Sequence, residues 1–162
     1  EIFVNTENMI IAFAARMNER GIKPELECFD KSHVDMALRL VRKGHIQPPL
    51  HFNFVLGVNG GAAGTPRDLL FLKESLPEGA TFTATGIGRC QLEMNVMGML
   101  LGGHVRVGFE DNLKYNRERN GVSNAEFVER IVRIAKDLNL EIATPAEARQ
   151  ILGMPERVNH SK

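Results

Sequence analysis

Gly102-Gly103-His104-Val105-Arg106-Val107-Gly108-Phe109-Glu110-Asp111-Asn112 reads as a strand that runs out into an acidic loop. Val105, Val107 and Phe109 share one side of a period-two pattern, and His104 and Arg106 share the other. A buried parallel strand is usually apolar on both faces, so a guanidinium in its middle breaks the local rule. Breaks of that kind gather at functional sites, although structural ion pairs cause them as well. Beyond the strand come two adjacent carboxylates, Glu110 and Asp111, within reach of Arg106. An arginine between them would orient both, leaving one as a hard oxygen ligand for a metal and the other as a base. The plainer alternative is a core arginine neutralised by a carboxylate, and the spacing leaves both open.

Three earlier segments have the same two-sided character. Leu26 and Cys28 alternate with Glu25 and Glu27, then Phe52, Phe54 and Leu56 with His51 and Asn53, then Phe82 and Ala84 with Thr81, Thr83 and Thr85. The pattern predicts strands over residues 23–30, 50–56, 80–86 and 103–108. A helix over 6–20 begins at Thr6 and carries the stripe Met9, Ile10, Phe13, Ala14 and Met17. Ser32 and Asp35 suggest a capping box for a helix to residue 43, and Thr65-Pro66 opens another with Asp68 in its first turn. A methionine-rich helix is expected over 91–101. Ser123-Asn124-Ala125-Glu126 and Thr144-Pro145-Ala146-Glu147 introduce helices to residues 138 and 153. Residues 155–162 read as a loose tail.

Strands that recur roughly every 25–30 residues with helices between them are successive βα units. In an open doubly wound sheet both faces meet helices, and four polar faces would be costly to bury. In a closed barrel one face meets helices and the other lines a lumen where polar groups can converge on a ligand. Four strands cannot close a βα barrel, which takes eight, and as written they would leave unpaired edges. The expected fold is therefore α/β: the C-terminal half of a (β/α)8 TIM-type barrel, four βα units plus terminal helices, over residues 1–154. The first residue is Glu1, followed directly by structured-looking sequence, so the chain reads as the middle of something longer. The missing half is expected upstream or in a second chain.

Twenty basic and twenty acidic residues among 162 leave no formal net charge. That balance argues against nucleic acid or an anionic membrane as partner, and no apolar run approaches a bilayer span. The length suffices for one domain with a real core. Cys28 and Cys90 lie in apolar segments without CxxC spacing and read as reduced thiols of a cytoplasmic protein.

Five segments carry a closer likeness: Lys23-Pro24-Glu25-Leu26-Glu27-Cys28-Phe29-Asp30, Pro49-Leu50-His51-Phe52-Asn53-Phe54-Val55-Leu56-Gly57-Val58, Ala84-Thr85-Gly86-Ile87-Gly88-Arg89, the 102–112 stretch, and Thr144-Pro145-Ala146-Glu147-Ala148-Arg149. Together they resemble the C-terminal half of the beta-keto acid cleavage enzymes over residues 1–154, with 102–112 the specific signature. The resemblance implies a zinc-dependent barrel enzyme, usually a homo-oligomer. Such an enzyme takes a beta-keto acid and acetyl-CoA and returns acetoacetate and a new acyl-CoA, by addition and retro-Claisen cleavage. By motif, Glu110 is a zinc ligand, Asp111 held by Arg106 takes part in proton transfer, and Glu27 is a carboxylate near the substrate. Glu25 shares the face of Glu27.

The family's other zinc ligands form a His-x-His pair in its N-terminal half, and no His-x-His occurs in these residues. One carboxylate falls short of the three protein ligands of a catalytic zinc site, so the 162 residues alone are expected to hold no zinc tightly and to be inactive. Two alternatives remain: a metal-dependent carbon–carbon lyase of retro-aldol type without coenzyme A, and a truncated half-barrel that has lost its chemistry.

Other residues admit two readings each. His51 and His104 are satisfied core histidines or catalytic groups. Residues 57–64 cradle a coenzyme A phosphate or merely join strand to helix. Arg89 meets an anion or pairs with Glu93. The methionines of 94–99 read as helix packing or an oligomer contact. Lys114, Arg117, Glu118 and Arg119 read as a solvated loop, with contact to coenzyme A the lesser alternative.

Overall fold

A computed structural model describes residues 4–154; the predicted tail, 155–162, lies outside the described residues. The elements run α1 (Glu7–Glu19), β1 (Leu26–Cys28), α2 (Lys31–Arg42), β2 (His51–Leu56), α3 (Pro66–Glu74), β3 (Thr81–Gly86), α4 (Gln91–Leu100), β4 (His104–Arg106), α5 (Asn124–Asp137) and α6 (Pro145–Ile151). A single 3-10 turn, Gly88–Cys90, feeds α4. The strands form one sheet in the order β1-β2-β3-β4, with every pairing parallel. The chain thus has the α/β fold expected, and among the described residues β1 and β4 each have a strand neighbour on one side alone.

Register decides what the sheet presents. Glu27, Asn53, Thr83 and His104 fall in one row, and Val55, Thr85 and Arg106 in the next. These residues share a face because the side-chain period is two. The other face carries Phe52, Phe54, Leu56, Phe82 and Ala84, all buried with Val34 and Leu40 of α2, Leu69 and Leu72 of α3, and Met94 of α4. Helices thus cover the apolar side of the sheet, and the polar residues share the other. A smaller cluster of Met99, Ile131 and Ala135, with Val105 and Val107 against it, docks α5. Met94 and Met99 are packing residues, as one of their two readings had it.

Contact across α4 and β3 is close. A Cβ placed on Gly98 would lie 2.6 Å from the Ala84 Cβ, so the helix can approach only because residue 98 has no side chain.

Several boundaries differ from the expected ones. The first and last strands are three residues each, not eight and six. Pro24 offers no N–H to a ladder, and Gly108, at φ +148°, turns the chain away soon after Arg106. α2 is capped by Asp30, whose Oδ1 accepts from Ser32 N at 2.9 Å, and not by a Ser32–Asp35 box; Asp35 pairs with Lys31 instead. Ser123 does cap α5, but Glu126 reaches back to Val122 N at 2.9 Å and to Arg119, so that box is incomplete. The Thr144–Glu147 box is complete.

Candidate active site

The charged end of the polar face is built by one turn. After β4 the chain folds at Gly108, whose carbonyl accepts from Asp111 N at 3.2 Å and Asn112 N at 3.0 Å. Asn124 Oδ1 accepts from Phe109 N at 2.8 Å, and Gly88 N donates to the Asp111 carbonyl at 2.7 Å. The loop is thereby tied to α5 and to the end of β3, and Asp111 is carried back over Arg106.

The result is a planar clamp. Arg106 donates from Nε to Asp111 Oδ2 and from Nη2 to Asp111 Oδ1, both at 2.9 Å. The same Nη2 lies 3.0 Å from Glu110 Oε2, and Nη1 lies 3.8 Å from Glu27 Oε1. The arginine and the two acids that follow it in sequence therefore meet. Glu27, from the opposite edge of the sheet, faces the same guanidinium without a hydrogen bond. Partial burial works against the charge of Arg106, but the hydrogen bonds and charge of Asp111, then the charges of Glu110 and Glu27, outweigh it and raise its pKa.

The carboxylates differ in surroundings. The Asp111 side chain is 4% exposed, that of Glu110 84% and that of Glu27 45%. Partial burial raises the pKa of Glu27; Arg106 opposes this, while Glu25, Asp111 and Glu110 add to it. Burial thus biases Glu27 toward its protonated form relative to a free glutamate.

His51 is a satisfied core residue. Its Nδ1 lies 2.8 Å from Thr81 Oγ1 and its Nε2 3.1 Å from Thr83 Oγ1. Burial first, then the nearby His104 and Lys23, lower its pKa to about 4. Glu25, mostly exposed at 3.9 Å, is too far to reverse that. His104 stands 5.9 Å away, ring to ring, and burial lowers its pKa too. Both imidazoles are therefore neutral at pH 7.

Among the described residues no three His, Cys, Asp or Glu side chains converge as a metal site. What the described residues have to offer a cation is the exposed carboxylate of Glu110, whose Oε2 lies 3.0 Å from Arg106 Nη2. That suits one corner of a shared zinc site and no more.

Arg89 enters no ion pair with Glu93 among the described residues. Cys28 and Cys90 are free and buried; burial, with the charge of Glu27, pushes the Cys28 thiol up to about 12. Pattern reading missed the Thr85–Asn53 hydrogen bond (2.7 Å) that locks the middle of the polar face. It also missed the buried pair Gln91 and Asn95 on α4. Two amides four residues apart in a helix that is apolar apart from Glu93 were the available signal.

A parallel βα sheet with its charged residues gathered where the last strand ends defines a class, the βα proteins that carry their chemistry at the carboxyl rim of the sheet. Comparison narrows it: the model of the beta-keto acid cleavage enzyme family matches residues 1–154, and the chain belongs to that family. It is 57% identical over 154 residues to the 3-keto-5-aminohexanoate cleavage enzyme of Acetoanaerobium sticklandii and 54% identical to that of Fusobacterium nucleatum. Each alignment covers 95% of this chain and 56% of the relative. The 3-oxoadipate:acetyl-CoA acetyltransferase of Cupriavidus necator is 35% identical over 158 residues, covering 95% of this chain and 55% of its own. The chain thus spans about half the length of the curated relatives it matches.

Proposed function

We propose that this chain forms the C-terminal half of a zinc-dependent (β/α)8 barrel that condenses a beta-keto acid with acetyl-CoA and releases acetoacetate and an acyl-CoA. The observation that carries the reading is the Arg106–Asp111 clamp with Glu110 beside it, in a member of this family. The complementary half brings the His-x-His ligands, and Glu110 supplies the remaining protein ligand. Zinc, when bound, supplies a Lewis acid for the keto oxygen.

The chain's own residues do the rest. Asp111 takes the proton from the carbon between the two carbonyl groups. Each of its oxygens has one lone pair engaged by Arg106 and another still available. Arg106 fixes the plane of that carboxylate, as a bidentate partner does and a lysine cannot. The carbanion adds to the thioester carbonyl and releases the coenzyme A thiolate. The thiolate returns to the original keto carbon, the carbon–carbon bond breaks, and a proton returns to give acetoacetate. Glu27 borders this space from β1 and binds or orients the substrate. The neutral His51, held by two threonines, keeps the floor of the site rigid.

The assembled enzyme is a homo-oligomer of the cytoplasm in this reading; its buried, unpaired thiols suit a reducing compartment. No helix of the described residues is long and apolar enough to cross a membrane. The test is acetoacetate release from beta-keto acids by the assembled barrel with and without acetyl-CoA. Release that requires acetyl-CoA is expected; turnover at the same rate without it excludes the reading in favour of a retro-aldol lyase.

A further inference from the structure

A second concavity lies outside the Arg106 cluster. A cavity of about 880 Å³ opens between the turn that feeds α4 and the loop after β4, with α5 as its far wall. That is within the size of small-molecule sites. Its charged lining is one-sided: Arg89, Lys114, Arg117 and Arg130 against the carboxylate of Glu93. Among the described residues Arg89, Lys114 and Arg117 enter no ion pair, and all three are exposed.

The loop that presents Lys114 and Arg117 is ordered by its own contacts. Asn116 Oδ1 accepts from Glu118 N and Arg119 N, both at 2.9 Å, and places Arg117 at the tip. The guanidinium carbons of Arg119 and Arg130 lie 4.0 and 4.4 Å from the centre of the Tyr115 ring.

Cations without carboxylate partners around a cavity of this size call for a ligand that carries phosphate. Loops after the last two strands of a βα barrel, with a short helical turn between them, are a frequent phosphate site.

We propose that this cavity seats the phosphorylated adenosine end of coenzyme A, with Arg89, Lys114 and Arg117 on its phosphates. The inference rests on the acetyl-CoA reading above and adds where the coenzyme is held. It replaces the solvated-loop reading of Lys114 and Arg117.

The experiment is calorimetric titration of the assembled enzyme with adenosine 3′,5′-bisphosphate, with adenosine and inorganic phosphate as comparison ligands. Arg89→Ala and Arg117→Ala are the variants, since both side chains are exposed and their loss should leave folding intact. Each is expected to weaken bisphosphate binding roughly tenfold, to raise KM for acetyl-CoA comparably, and to leave KM for the keto acid unchanged. Glu93→Gln should tighten the bisphosphate, because a repelling charge is gone. Binding that neither arginine variant alters overturns the proposal, as does inorganic phosphate binding as tightly as the bisphosphate. Arginine-dependent bisphosphate binding in an enzyme that turns over without coenzyme A leaves the cavity a site for adenosine phosphates and removes only the reaction assigned above.

Discussion

At the scale of single residues, the clamp assigns different work to neighbours in sequence. Glu110→Ala should lower the zinc content of the assembled enzyme, while Asp111→Asn should keep zinc and lose turnover. Metal analysis beside acetoacetate release separates the two, and equal zinc loss in both variants would remove the division of roles. Arg106→Lys tests the geometry. Deleting the arginine outright would strand a carboxylate that is 4% exposed, at about 3–5 kcal/mol, so a loss of activity there would be ambiguous. Lysine keeps the charge and gives up the parallel pair of hydrogen bonds. We expect kcat to fall at least about tenfold, or ~1.4 kcal/mol, with the fold retained; an unchanged kcat would make the pair purely structural.

His51 supplies a pH signature at the same scale. Its pKa is lowered from 6.5 to about 4, so between those values the unfolded chain binds a proton that the folded chain refuses. Stability is therefore fully present above about pH 6.5 and is lost as pH falls toward 4, by about 3 kcal/mol at most. Thr81, Thr83, His104, Glu25 and Lys23 surround the ring. None of the two hydroxyls can stabilise an imidazolium as a carboxylate would. Chemical denaturation at pH 7 and pH 5 should show a smaller loss in His51→Gln than in the unaltered chain, and equal losses would mean that other groups set the acid limit.

Elements tell how far pattern reading goes. The alternation Phe52, Phe54, Leu56 against His51, Asn53 was enough to place β2 and both of its faces, because burial on one side and hydrogen bonding on the other select residues independently. The same logic placed β3 and the meeting of Arg106 with the acids after it. It overran β1 and β4, since alternation continues past the last ladder hydrogen bond while Pro24 and Gly108 end pairing by backbone chemistry. The cap of α2 was misplaced by two residues because Asp30 makes its hydrogen bond in a turn that competes with a Ser32 box. That the buried Asn95 Oδ1 has no partner among the described residues could not be read, for a missing partner is visible only in three dimensions. Gly98 is the matching case for packing: its Cβ would sit 2.6 Å from that of Ala84, on a face already filled by Phe82, Val105 and Met94. Gly98→Ala removes a helix-weakening glycine, worth up to about 1 kcal/mol, yet forces α4 off the sheet at about 1–3 kcal/mol. The larger effect should win, and a lowered midpoint in urea denaturation checks it.

For the whole molecule, the question is what the sheet and helices leave uncovered. Among the described residues β1 and β4 end the sheet with open edges, and α1 exposes Met9 and Phe13, four residues apart, with Phe13 53% accessible. A helix whose apolar stripe is half in water is a helix that expects a neighbour. In a completed barrel α1 is itself the outer helix of the unit preceding β1, and the neighbours it expects are that unit's strand and the outer helix of the unit before it. Phe13→Asp then has two different consequences. In the 162-residue chain the ring already meets solvent, and a surface substitution should change stability by no more than about 0.5 kcal/mol. In the assembled barrel the same change withdraws a buried phenyl ring and buries a carboxylate, so the loss should be about 2–3 kcal/mol or more. Parallel denaturation of the two forms decides. A large loss confined to the assembled form supports closure against α1. Equal and small losses place α1 on the outside of whatever this half-sheet joins, and the barrel must then close through the strand edges alone.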